Sequence, residues 1–166
     1  MKKVLRVGIG TLCLIVLLPL CASAAQAGAS AALRKGKLSI ADMANAALAG
    51  GVAVGATCNT ISAPGAFGIG LLAGAVCVLG YTVVQPRFQS ALKIVDTCGV
   101  HNLHGMPGLV GGLAAIVVIP GTAKSQLAGI VFTVLFAFVA GSIGGALIRM
   151  TGSTAVAYSD SDEISG

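Results

Sequence analysis

Four long apolar runs separated by short polar breaks organise the 166-residue chain. The first extends from Leu38 to about Ala56 and carries Asp42 and Asn45 in its opening turns, and the turn-forming stretch Cys58-Asn-Thr-Ile-Ser-Ala-Pro-Gly65 interrupts it. The second, from about Ala66 to Val84, is closed by Pro86, and Gln85 to Val95 reads as a connector holding Arg87 and Lys93. The third runs from about Cys98 to Ile119 and stops at Pro120-Gly121; the fourth runs from about Gln126 to Ile148, with Arg149 at its far end. At ~1.5 Å of rise per residue, runs of this length cross a hydrocarbon layer of ~30 Å. The pattern therefore predicts four membrane-spanning helices near 38–57, 66–85, 98–119 and 126–149.

The ends differ from this core. Met1 to Ala24 has a basic start (Lys2, Lys3, Arg6), an apolar run through Leu12-Cys-Leu-Ile-Val-Leu-Leu18, and Ala22-Ser-Ala24, which fits the small-residue rule for signal cleavage. An uncleaved amino-terminal anchor is the alternative, and a lipoprotein signal at Leu18-Pro-Leu-Cys21 is disfavoured by the leucine before the cysteine. The expected divisions are a signal peptide or anchor over 1–24, a polar connector over 25–37, a membrane domain over 38–150 and a polar tail over 151–166 that carries Asp160, Asp162 and Glu163.

Composition settles the class. The chain is 56% apolar and only 9% charged, against roughly one quarter charged in soluble domains. It reads as an all-α, polytopic membrane helix bundle. Lys and Arg outnumber Asp and Glu by ten to five, but six of the basic residues lie in the first 37 positions, beside apolar segments. Such placement sets topology and is no nucleic-acid footprint. Arg34, Lys35 and Lys37, then Arg87 and Lys93, then Arg149 put the basic connectors and the carboxyl tail on the cytoplasmic side, as in a multi-pass protein of a bacterial-type inner (plasma) membrane. That topology conflicts with a cleaved signal, which would leave Arg34 to Lys37 on the opposite face. The five cysteines show no disulfide framework. Glycines four apart (Gly51 and Gly55, Gly70 and Gly74, Gly108 and Gly112, Gly141 and Gly145) predict close helix packing.

The chemistry concentrates in Asp96-Thr-Cys-Gly-Val-His-Asn-Leu-His-Gly-Met-Pro-Gly108, which holds both histidines and one of two acidic residues in the apolar region. An ionisable group in such a segment is a functional candidate. On a regular α-helix His101 and His104 lie about 60° apart on one face, with Cys98 within about 120° of His104. Three readings follow from the residues alone. The imidazoles line a path for a small polar solute; Cys98, His101 and His104 bind a metal, though without a fourth ligand or an orienting acid; or the histidines bond neighbouring backbone and carry no function. Asp96 reads as a helix-start carboxylate, which accepts free amide hydrogens of the first turn. No phosphate loop, nucleophile triad or paired-carboxylate site is present in the sequence, so nothing points to an enzyme, and no cofactor is expected.

The same stretch resembles the signature of Rh-type members of the Amt/Rh ammonium transporter family, and Gly36-Lys-Leu-Ser-Ile-Ala-Asp-Met-Ala-Asn-Ala-Ala-Leu-Ala-Gly-Gly-Val-Ala-Val-Gly55 resembles the helix two places earlier in that family. The resemblance covers about Leu33 to Ile148. It implies that the four spans correspond to the last four of eleven helices, in a trimeric channel whose subunits each conduct ammonium or ammonia past two facing histidines. Carried over by position, His101 matches the second pore histidine, His104 the additional histidine of the Rh branch, and Asp96 the carboxylate at the start of that helix. The family's first seven helices have no counterpart in this reading. The chain resembles a partial form: either an Rh-type channel completed by another polypeptide, or a non-conducting membrane partner of full-length subunits.

Overall fold

The computed structural model describes residues 24–33, 36, 39–96 and 99–152. The expected signal or anchor segment and the polar tail lie almost entirely outside these residues. Among the described residues every regular element is helical.

Residues 24–33 form a short helix, α1, where a polar connector was expected. The cause is local: six of its ten residues are alanine, the strongest helix former. Gly36, at φ +84°, donates its N–H to the Ala31 carbonyl at 2.7 Å and closes the helix in the left-handed conformation that glycine adopts without cost. Helix α2, Ile40–Gly55, starts at Ser39, whose hydroxyl accepts the Asp42 amide hydrogen. The Ser30 hydroxyl of α1 in turn donates to the buried Asp42 carboxylate at 3.0 Å. Helix α2 ends at Gly55, and its 16 residues reach ~24 Å, short of the expected full crossing.

Helix α3, Ala63–Leu79, is capped by Ser62 and carries Pro64 in its first turn, where a missing N–H has no intrahelical partner to lose. Here the chain departs from the expectation that Pro86 ends the second span. Gly80–Val84 forms a π turn, and helix α4, Gln85–Leu92, continues directly from it. Helical residues thus run unbroken over Ala63–Leu92, 30 residues. A proline ring collides with the carbonyl four residues earlier, and widening the turn to i→i+5 moves that carbonyl aside. The same device recurs in the next helix: His101–Gly105 is a π turn, followed by helix α5, Met106–Val118, with Pro107 at its second position. The wide-turn bonds are Gln85 N–H to the Gly80 carbonyl and Met106 N–H to the His101 carbonyl, each one residue before the proline. Lys93 then takes a left-handed conformation (φ 52°) and ends the helix.

Helices α2, α3 and α5 pack on one another through small residues. Buried on α2 are Ala46, Ala49, Gly50 and Ala53; on α3, Ala66, Gly70, Ala73, Gly74 and Cys77; on α5, Gly111, Gly112 and Ala115. Their spacings of three and four keep each set on one stripe. Bulky side chains point the other way, among them Leu48, Leu72, Leu113 and Val117. Lipid offers no hydrophobic drive for helix association, so contact comes from close backbone approach. At Gly111 the approach is so close that a Cβ would overlap the Ala53 main-chain carbonyl. Of the glycines that spacing singled out, Gly70, Gly74 and Gly112 are buried on their helices, whereas a Cβ at Gly51, Gly55, Gly108, Gly141 or Gly145 would meet open space.

The fourth long helix, α6, is Ala123–Met150, 28 residues, with no Asp or Glu among them. Thr122 precedes it and accepts the Gln126 amide hydrogen on its carbonyl at 2.8 Å. At ~42 Å it exceeds the ~30 Å of a hydrocarbon core. Phe132 and Phe136, one turn apart, stack with centroids 6.0 Å apart.

Two measurements check this arrangement. Gly111→Ala forces α2 and α5 apart, and overpacking of this kind costs roughly 1–3 kcal/mol. Val117→Leu, at an exposed position, should leave thermal stability in detergent unchanged; equal melting of the two variants would refute the crossing. Single cysteines replacing Ser90 and Thr122 in a cysteine-free background should label from opposite sides of a vesicle membrane, because one long helix separates them.

Candidate functional site

The two π turns meet. Gly80, in the first, faces the Asn102 side chain of the second, and a Cβ on Gly80 would strike the Asn102 carboxamide. Asn102 is fully buried, and its Nδ2 donates to Gln85 Oε1 at 2.8 Å. Gln85 Nε2 donates to the Asp96 main-chain carbonyl at 3.1 Å. Beside this chain of bonds the Tyr81 hydroxyl donates to the Gly99 carbonyl at 3.2 Å, and Gly99 (φ +62°) lies so close under the Tyr81 ring that no Cβ fits. Three hydrogen bonds thus join one long helix to the start of the next. Such bonds are favoured where the apolar surroundings offer no competing water.

Asp96 sits at the start of the second helix. Its carboxylate accepts the His101 main-chain N–H at 3.1 Å, and its carbonyl accepts the Gly99 N–H as well as the Gln85 carboxamide. The His101 ring is exposed and stacks almost parallel on Phe88, with centroids 5.6 Å apart and planes 6° apart. Its Nδ1 lies 3.4 Å from Asn102 Oδ1. His104 is also exposed. The two rings do not share the 60° arc of an α-helix: an i→i+5 turn holds more residues per revolution, so a three-residue step falls further short of a full circle. Cys98, the third member of the metal reading, lies outside the described residues.

Asn102 and Gln85 are the residues that sequence reasoning missed. Gln85 was placed in a connector because Pro86 follows it, and Asn102 was overshadowed by the histidines on either side. A signal was present in both cases. A carboxamide in a strongly apolar segment needs an internal partner, and these two are each other's.

Comparison with known proteins decides the lineage of this site. The model of the Ammonium Transporter Family matches residues 9–166. The chain belongs to that family. The match reaches further in both directions than the Leu33 to Ile148 stretch that carried the resemblance, and it begins inside the segment read as a signal or anchor. Among relatives, the chain is 44% identical over 124 residues to the ammonium transporter Rh type A of Bos taurus, covering 70% of this chain and 29% of that protein. It is 38% identical over 142 residues to the Rh type B protein of Homo sapiens, covering 69% and 31%. Among solved structures it is similar to Nitrosomonas europaea Rh50, described as bearing on conduction by the Rhesus protein family of channels, with a TM-score of 0.85 and 53% identity over 92% of this chain and 40% of that one. The chain spans about a third of the length of the family members it matches.

Asp96 supplies the test of the local geometry. Asp96→Ala removes the acceptor for the His101 amide and should cost about 1 kcal/mol, whereas Asp96→Asn keeps an oxygen there and should cost a few tenths. Thermal unfolding in detergent, with hydrogen exchange at the His101 amide, reads the difference; equal exchange in the two variants would exclude the bond.

Proposed function

We propose that the chain is a transmembrane segment of an Rh-type ammonium or ammonia channel, in which His101 and His104 lie on the solute path and Asp96 fixes the start of the helix that carries them. Supporting this is one observation above the rest: the His101 ring is held at its backbone by the Asp96 carboxylate and braced on one face by Phe88, yet it remains exposed. An exposed imidazole in a segment this apolar is poised to exchange hydrogen bonds with a small polar molecule. Membership of the ammonium transporter family and the likeness to Rh-type ammonium transporters support ammonium or ammonia as the solute. The setting is a multi-pass one in a bacterial-type inner membrane, and the assembled form is a homotrimer, both by analogy with the intact family fold.

The described helices amount to less than half of the Rh50 chain. A transporter pore between paired structural repeats needs both of them to enclose the solute. Reconstituted by itself in vesicles, this chain should show no ammonia permeability above bare lipid by stopped-flow pH measurement. Supplied with a polypeptide carrying the remainder of the fold, it should give a flux that His101→Ala lowers by roughly tenfold, equivalent to about 1.4 kcal/mol in the barrier. Flux indifferent to His101→Ala would remove the pore role. Stable assembly without any flux would favour a non-conducting partner of full-length subunits.

A further inference from the structure

The hydrogen bonds around His101 have a direction. A main-chain carbonyl only accepts, so the Asp96 carbonyl requires Gln85 to present its NH2 group there. Gln85 Oε1 is then left as an acceptor, and the group 2.8 Å from it must be the Asn102 NH2. That leaves Asn102 Oδ1, an acceptor, 3.4 Å from His101 Nδ1. An acceptor facing an acceptor gains nothing, whereas Nδ1–H facing Oδ1 makes a bond. Flipping either carboxamide would break its link to the Asp96 carbonyl or set like groups against each other, and Asn102 is fully buried, with no exposed surface on which water could compensate. Gly80 leaves the space that the Asn102 carboxamide occupies.

We propose that Gln85 and Asn102 are positioning residues that hold neutral His101 in its Nδ1–H tautomer, so that Nε2 is its free hydrogen-bond acceptor. The polarity originates in the Asp96 carbonyl and passes through two carboxamides to the ring, while the carboxylate of the same residue holds the His101 backbone. The tautomer itself does not depend on transport. Its consequence does rest on the channel reading: His101 would meet a solute as an acceptor, suited to a small N–H donor and unsuited to a solute that only accepts.

Ring nitrogen NMR reads this directly. The full chain in lipid bilayers, with 15N-labelled histidine rings, is measured in alkaline buffer, at a pH where the two ring nitrogens give the distinct signals of the neutral form; His104→Gln leaves only the His101 signals. The expected spectrum has a pyrrole-type Nδ1 and a pyridine-type Nε2. Asn102→Leu should give a mixture of tautomers. A pyrrole-type Nε2 in the wild type overturns the proposal without any variant being needed. So does an unchanged spectrum in folded Asn102→Leu. Should Asn102→Leu fail to fold, Gln85→Leu tests the same relay one link earlier and should likewise mix the tautomers. A locked tautomer combined with flux indifferent to His101→Ala would leave this inference standing and remove only the channel role.

Discussion

Two prolines set the terms for the rest of this structure. Pro86 and Pro107 each lie inside a helix, where a proline removes one hydrogen bond and crowds the carbonyl a turn earlier. The chain answers both in the same way, with a five-residue π turn directly upstream. The widened turns keep the helices continuous, and they bring Gly80 and Asn102 into contact. Everything notable about the site follows from that meeting. Asn102 is buried there, Gln85 is its partner, and His101 is the adjoining ring. Wide turns of this kind recur at functional positions because they redirect side chains without breaking the helix.

The packing beneath the site uses little bulk. Alanine and glycine stripes on α2, α3 and α5 let the backbones approach until one glycine touches a carbonyl of the next helix. In water such a core would bury too little apolar area to offset the entropy of ordering the chain. In lipid the balance differs, since large side chains pay no penalty for facing outward and the short interhelical distance gains dispersion contact. The rigid three-helix contact is what gives a hydrogen-bond relay of four residues a fixed geometry to work in.

Asp96 serves both layers. Its carboxylate stabilises the opening of a helix, as an acidic group does at the positive end of a helix dipole, and its carbonyl orients two carboxamides. The helix-start carboxylate and the adjoining imidazole are therefore not separate features here. Membership of the ammonium transporter family and the resemblance to an Rh50 channel give this pairing its setting, while the local geometry is read from the residues themselves.

The sequence by itself determined the class, the approximate positions of the long helices and the stretch where chemistry collects. Apolar run length, basic flanks and the rarity of charge are local properties, and they survive folding because lipid demands them of every spanning segment. The motif from Asp96 to Gly108 was legible for the same reason, since ionisable groups stand out against such a background. Only tertiary structure decided the rest. Pro86 reads locally as a stop, but the neighbouring helix gives the widened turn something to pack against, so the helix runs on to Leu92. Residues 25 to 33 read as a polar connector although their alanines favour a helix locally, and the tertiary contribution there is the bond from Ser30 to the Asp42 carboxylate twelve positions away. Gly111 meets the Ala53 carbonyl although no four-residue spacing marks it, because close approach depends on where two helices cross and not only on spacing within either. Asn102 and Gln85, seventeen residues apart, became partners only when the two wide turns met, a pairing that no periodicity in the chain encodes.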